Sequence, residues 1–217
     1  MKERRWISVA GAVAVLALVG AGCGGDDGDS GGGGGGGGDD TAKTAGGDTI
    51  KIGFLSDCEG AFGSFFEPTI SGANAALIKY AGAKPAGEKP SDGVTGATIA
   101  GKKVEVVGYG CADDTADKAI EETRRLMEQE DADVMIGPLS GDEGIAVANY
   151  AKEHPDKTFV NGIAGAQDAT LKVQAPNFFR YHPDGAQWSA GLGDYAYNEL
   201  GWKKAAIIGD DYSFPYT

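Results

Sequence analysis

Gly137-Pro138-Leu139-Ser140-Gly141-Asp142-Glu143-Gly144 lies between an apolar run, Ala132 to Ile136, and a stretch of helical periodicity, Ile145 to Glu153. The first run reads as a buried strand and the second as a helix, so the small residues between them form the crossing where open α/β sheets bind ligands. Helix starts offer unpaired N–H groups and the positive end of the helix dipole, and both suit a carboxylate or a phosphate. The chemistry on offer is an anion cradle; the competing reading is a plain turn.

A catalytic constellation is hard to assemble elsewhere. Ser140 stands in Gly-Pro-Leu-Ser-Gly, whose spacing is not that of the G-x-S-x-G nucleophile elbow. His154 and His182 each precede a proline at the end of an element and read as surface or loop residues. Cys58 and Cys111 lack the paired spacing of a zinc site. Asp26-Asp27, Asp113-Asp114 and Asp210-Asp211 read as solvated turns and caps, so no metal is expected. Gly191-x-Gly193-x-x-Ala196 imitates a dinucleotide fingerprint, but it falls inside a helical pattern and not directly after a strand, and no cofactor is expected. What remains behind the strand ends is Phe62, Ser140, Gly141, Ala164, Gly165 and Phe214. Backbone donors and aromatics without a base or nucleophile fit recognition and not catalysis.

The elements that must position these residues follow from periodicity. Strands are expected at Ile50 to Ser56, Lys103 to Gly110, Val134 to Ile136, Thr158 to Val160, Phe178 to Arg180 and Ala205 to Gly209. Helices are expected at Gly63 to Ala81, Thr115 to Glu130, Ile145 to Glu153 and Gln187 to Leu200, with Lys84 to Thr98 as a loop. Strands alternating with helices imply an α/β, Rossmann-like, mostly parallel sheet with right-handed crossovers. The chain stops at Phe214-Pro215-Tyr216-Thr217, just past a strand that should feed a helix, and it reads as a fragment.

Lys2, Arg4 and Arg5 precede an apolar run from Trp6 to Val19, the pattern of a signal peptide. The run is shorter than the roughly 20 residues a membrane span needs. Gly20-Ala21-Gly22-Cys23 ends it and resembles a bacterial lipobox, with Gly20 where an aliphatic residue is usual. Residues 1–22 are therefore read as a lipoprotein signal peptide and Cys23 as the lipid attachment point; the alternative is a plain secretory signal with a chance cysteine. Residues 23–48, with eight consecutive glycines at Gly31 to Gly38, carry no side chains able to build a core and read as a disordered tether. About 25 such residues span roughly 25 to 30 Å. No strand precedes the glycines and no Gly-Lys-Ser/Thr ends them, which excludes a phosphate-binding loop.

Thirty-two acidic against nineteen basic residues give a net charge of −13, and about −15 once Lys2, Glu3, Arg4 and Arg5 (net +2) are removed, which excludes nucleic acid as a partner. From Asp48 onward enough chain remains for one domain with a core. Cys58 and Cys111 both follow expected strands, and if those strands are neighbours in a parallel sheet their ends lie side by side, close enough for a disulfide. Two free buried thiols are the alternative.

Several segments together resemble the branched-chain amino-acid binding proteins of ABC importers: Ile52-Gly53-Phe54-Leu55-Ser56 through Phe62-Gly63, Ser71-Gly72-Ala73, Ile136-Gly137-Pro138-Leu139-Ser140-Gly141, Phe179-Arg180 before Pro183-Asp184, and Ala206-Ile207-Ile208 before Asp210-Asp211. The resemblance runs from Thr49 to Thr217 and implies a type I periplasmic-binding-protein fold: a ligand-binding lobe over residues 49–180 and a truncated second lobe over 181–217. It implies a monomeric, lipid-anchored extracytoplasmic protein that captures an amino acid or a similar small, carboxylate-bearing or amide-like metabolite for a membrane permease. The ligand carboxylate would meet Ser140, Gly141 and the helix after them, with further contacts near Ala164 and Gly165 and an aromatic wall near Phe62. Relatives place a hydroxyl about where Gly141 stands, so backbone N–H groups take more of the load here. Phe214 occupies a place where relatives often carry tyrosine, Pro215 one where glycine is usual, and Ala164-Gly165-Ala166 lacks a common threonine hydroxyl. A sensory domain of the same fold and an exported Rossmann-like enzyme are the rival readings.

The lipid assignment is open to a direct check. The Cys23→Ala form of the full-length protein is expected to leave the membrane fraction, and its retention there would count against anchoring at Cys23.

Overall fold

The computed structural model of the protein describes residues 49–216. The expected signal peptide, Cys23 and the glycine-rich tether lie outside the described residues.

The chain opens with β1 (Thr49–Asp57), whose last six residues are all buried. A 3₁₀ turn at Gly63–Phe65 leads into α1 (Phe66–Ala81), which stops at Gly82 in the left-handed conformation, φ 71°. β2 (Lys84–Pro85) and β3 (Val94–Thr95) pair as a separate small ribbon. β4 (Ala97–Ile99) and β5 (Lys102–Ala112) form a hairpin whose turn, Ala100-Gly101, has positive φ at both residues, as a two-residue hairpin turn that follows the strand twist requires. α2 (Ala116–Arg124) starts at Thr115, whose hydroxyl accepts from the Lys118 N–H at 3.3 Å, and runs on through a π turn at Arg125–Gln129. Then come β6 (Val134–Ile136), α3 (Gly141–Glu153), β7 (Thr158–Val160), a π turn at Ala169–Val173 and β8 (Phe178–Phe179). Short turns of helix follow: α4 (Gly185–Trp188), α5 (Leu192–Asp194) and a π turn at Tyr195–Glu199.

The main sheet has the order β4-β5-β1-β6-β7-β8 and is parallel throughout except for β4. β1 lies inside it, with β5 on one edge and β6 on the other. The chain steps from β1 to β5 and then returns past β1 to β6, so the strand order reverses between β1 and β6. In an open sheet that reversal parts the loops beyond the strand ends and makes the ligand crevice.

Side chains alternate across β1 and feed two cores. Ile52 and Phe54 pack with Leu77 of α1 and Val104 of β5. Leu55 packs on the opposite face with Leu126, Met135, Val147 and Phe159 under α2 and α3. Leu126, fully buried, sits over three glycines of the sheet: a Cβ at Gly53, Gly108 or Gly110 would come within 3.1 to 3.2 Å of its methyl carbons. Those glycines let α2 approach the strands closely.

The expected α/β sheet is present, with four differences of detail. α3 begins at Gly141 and not at Ile145, because its first turn, Gly-Asp-Glu-Gly, carries no apolar residue to register in a periodicity. The expected loop Lys84 to Thr98 contains the β2–β3 ribbon and most of β4, pieces too short to stand out among glycines and prolines. The expected helix Gln187 to Leu200 is broken at Gly191, φ 81°. The expected strand Ala205 to Gly209 forms no ladder: no described segment pairs with it, and Ile207 and Ile208 are 95% and 98% exposed. Apolar sequence supplies a strand's side chains but not the neighbour that its N–H and C=O groups need. No helix among the described residues is long and apolar enough to cross a membrane.

Register brings the two cysteines together. Ser56 is opposite Cys111, Cys58 follows β1 directly, and the Cys58–Cys111 disulfide joins Cα atoms 5.1 Å apart. The bridge spans 53 residues, and in the chain-entropy account a loop of that length contributes about 4 kcal/mol. Denaturant unfolding of the reduced protein is expected to show a loss of that order against the oxidised form; equal midpoints for the two would contradict it.

Candidate ligand-binding site

The cradle loop is held by close backbone packing. The Gly137 N–H donates to the Val160 carbonyl at 2.9 Å, and the Ile163 N–H donates to the Pro138 carbonyl at 3.2 Å, lacing the loop after β6 to the loop after β7. Gly137 has φ 141°, and a Cβ there would collide with the Leu55 carbonyl and come within 2.9 Å of the Leu55 Cβ, so only glycine fits. Ser140 is extended and caps α3: its own N–H donates to the Glu143 carboxyl at 3.2 Å, and its carbonyl accepts from Gly144 at 3.0 Å. That is the returning half of a capping box. The Ser140 hydroxyl is 2% exposed as part of its residue and has no hydrogen-bond partner.

A cavity of about 210 Å³ opens against this helix start. Leu139 and Gly141 form one wall, Phe62, Phe65 and Thr69 a second, and Ile163 and Gly165 a third; Trp188, Tyr212 and Phe214 complete it. The aromatic rings support one another. Phe62 meets Tyr212 edge-on with centroids 5.7 Å apart, Trp188 meets Phe214 edge-on at 5.5 Å, and Tyr212 and Phe214 are tilted at 6.0 Å. Two glycines admit Phe214: a Cβ on Gly141 would come within 2.9 Å of its backbone nitrogen, and one on Gly165 within 2.6 Å of its ring. The Ser213 hydroxyl donates to the Asp142 carboxylate, tying this last segment to α3.

Of the six residues singled out in the sequence, Phe62, Gly141, Gly165 and Phe214 line the cavity together. Ser140 lies just behind the wall. Ala164 is fully buried and faces α3, its Cβ 2.7 Å from the place a Cβ on Gly144 would take, and it does not line the cavity. Trp188 and Tyr212 were not foreseen. Trp188 directly follows the capping box formed by Asp184 and Gln187, a pattern visible in sequence. Tyr212 lies in a bend two residues before Phe214, where the chain turns, and no periodicity marks it.

Among the described residues lining the cavity there is no histidine, cysteine or carboxylate; His182 stacks on Trp188 at 5.8 Å. His154 stacks on Tyr150 at 3.9 Å and caps the far end of α3. Cys58, Glu59 and Cys111 bring their ligand atoms within 4.8 Å of one another, but the sulfurs are bonded to each other. Tyr212, whose hydroxyl burial and three nearby carboxylates push up in pKa, is the only titratable side chain among the described residues lining the cavity.

Behind the cradle lies a pair of acids. Asp57, at the end of β1, and Glu143, in the first turn of α3, are both fully buried. Burial first, and then the adjoining Asp57, push the Glu143 carboxyl up to about 9. Burial also raises Asp57.

Residues 49–217 match the model of a family described as periplasmic binding protein. Solved structures share the fold. A leucine binding protein from Thermotoga maritima is 19% identical with a TM-score of 0.56, over 70% of this chain and 38% of that one. A solute binding protein of an ABC transporter from Rhodopseudomonas palustris, in complex with benzoate, is 24% identical with a TM-score of 0.61, over 77% and 42%. Another, from Rhodopseudomonas palustris BisB5 in complex with 3,4-dihydroxybenzoic acid, is 26% identical with a TM-score of 0.60, over 78% and 41%. The chain thus spans about two fifths of the length of these structures. No curated protein matches the sequence.

The unpartnered hydroxyl of Ser140 gives a stability test. Ser140→Ala removes a buried group without orphaning a partner, so unfolding free energy is expected to change by less than about 0.5 kcal/mol. A loss above about 1 kcal/mol would show that the hydroxyl is bonded.

Proposed function

Since this chain belongs to the periplasmic binding protein family, we propose that it is an extracytoplasmic solute-binding protein that captures a small carboxylate for an ABC importer. The observation that carries the reading is the convergence of the α3 N-terminus, two glycines and five aromatic residues on one cavity at the strand-order reversal. The ligand carboxylate lies against the amides of the first turn of α3, where the helix dipole and unpaired N–H groups favour it. Its apolar body lies among Phe62, Trp188, Tyr212 and Phe214.

Size and polarity favour a flat acid over an amino acid. A dry cavity of about 150 Å³ accepts benzene, so about 210 Å³ admits one ring with its carboxylate. Among the described residues lining the cavity none is acidic, and the Gly165 carbonyl already accepts from the Gly185 N–H at 3.0 Å. The relatives named above bind leucine in one case and benzoate or 3,4-dihydroxybenzoate in the others.

Residues 49–180 form most of one lobe and 181–217 begin a second; closing the two buries the ligand and presents a shape that a permease recognises. A signal peptide over residues 1–22 directs export and is cleaved off, and a lipid on Cys23 then holds the monomeric protein at the outer face of the cell membrane by a tether over 23–48.

Thermal unfolding of the full-length protein with benzoate, 3,4-dihydroxybenzoate or leucine tests the reading. A ligand at 100 times its Kd adds about 2.7 kcal/mol, and the aromatic acids are expected to shift the transition more than leucine at equal concentration. No shift with any carboxylate would sink the proposal.

A further inference from the structure

Asp57 and Glu143 are the only carboxyl groups among the described residues that are fully buried, and neither has a cation. Neither oxygen of Asp57 has a hydrogen bond of good geometry; the Asp114 backbone N–H lies near it, and the side chain it faces is Glu143. Glu143 accepts backbone N–H groups from two elements, Asp114 at 3.2 Å on one oxygen and Ser140 at 3.2 Å on the other.

The surroundings are acidic. Asp113 and Asp114 come from the loop between β5 and α2, Asp142 from α3, and Asp210 with the phenol of Tyr212 from the C-terminal segment. No ion pair among the described residues reaches any of these carboxyls, nor Asp57 or Glu143. Two carboxylates buried against each other without a cation do not both stay ionised. Two carboxyl groups hydrogen-bond to each other only through a proton, since an ionised one is purely an acceptor.

Glu143 is also the third residue of the helix whose start forms the cradle. Ionised, it would place a full negative charge within the turn that an anionic ligand has to approach, opposing the helix dipole. We propose that Asp57 and Glu143 share one proton, and that this proton keeps the start of α3 receptive to a carboxylate. Glu143 is then a positioning residue that acts through charge without touching the ligand. The anionic ligand in this proposal rests on the functional reading above; the shared proton does not.

The sign of the pH dependence follows. The folded protein holds a proton that the unfolded chain releases in the ordinary carboxylate range. The stability contributed by the pair is therefore fully present below that range and falls as pH rises, until the folded pair gives up its proton near 9. Carboxylate affinity falls over the upper part of the same window, on the order of tenfold for a unit charge under 10 Å away in a protein-like dielectric. An uncharged amide feels no such change.

The test uses the full-length protein as wild type, Glu143→Gln and Asp57→Asn, with benzoate and benzamide as probes. The glutamine donates an N–H to Asp57 permanently and still accepts one backbone amide. The wild-type Tm is expected to fall between pH 6 and pH 9.5 while that of Glu143→Gln stays level. Wild-type benzoate affinity is expected to drop roughly tenfold from pH 7 to pH 10, benzamide affinity to stay constant, and Glu143→Gln to lose the benzoate dependence. Asp57→Asn leaves the charge on Glu143, so its benzoate binding is expected to be weak already at pH 7. If Glu143→Gln does not fold, Asp57→Asn decides the matter: wild-type pH profiles in that variant overturn the proposal. Parallel stability curves for wild type and Glu143→Gln overturn the shared proton. Failure of wild type to bind benzoate at every pH tells against the aromatic-acid reading and the cradle's part in it, while the stability curves still decide the shared proton.

Discussion

Everything in this structure depends on β1 lying inside the sheet, paired on both edges and covered on both faces. Its N–H and C=O groups find partners in β5 and β6, and its side chains reach two separate cores. Buried on both sides, it reads as a near-continuous apolar run, as parallel strands do. Because the chain leaves it first towards β5 and later towards β6, the loops at its C-terminal end part. Asp57, Cys58 and Phe62 are delivered to that opening by the strand itself. The disulfide and the glycine patch under Leu126 both hold β1 against β5, and so both bear on the opening.

The cradle and the buried acids are two consequences of one helix start. α3 begins immediately beyond the opening, and its capping requires an acceptor for the Ser140 N–H. Glu143 supplies it, which draws a carboxyl into the interior beside Asp57. Capping chemistry that is ordinary at a solvent-exposed helix end becomes electrostatically demanding here, because burial removes the water that would stabilise two charges. The aromatic walls answer a different demand. They surround an apolar body, and the edge-to-face pairs Phe62–Tyr212 and Trp188–Phe214, joined by the tilted Tyr212–Phe214 contact, hold the rings in place.

Much of this was legible along the chain. Alternating strands and helices are local patterns, and the five strands from β1 through β5, β6 and β7 to β8 follow the apolar runs closely. The crossing after β6 was visible as small residues between two periodic stretches, and four of the six residues chosen for the site line one cavity. The expectations that differed share a cause. Ala205 to Gly209 has the composition of a strand without a described neighbour to pair with, and Gln187 to Leu200 has helical spacing but a glycine that takes positive φ. The first turn of α3 is made by a cap, which carries no periodicity.

By itself the sequence determined the α/β class, the place of the crossing and the cysteines available for a bridge, since each is written in composition or in spacing over a few neighbouring residues. Only the tertiary structure decided that Trp188 and Tyr212 share a wall with Phe62, that Ala164 faces α3 and not the cavity, and that Asp57 meets Glu143 in the dark interior. Those are contacts between residues far apart in the chain. They depend on register, on the reversal of strand order and on what burial removes from water, and none of these is carried by any local run of residues.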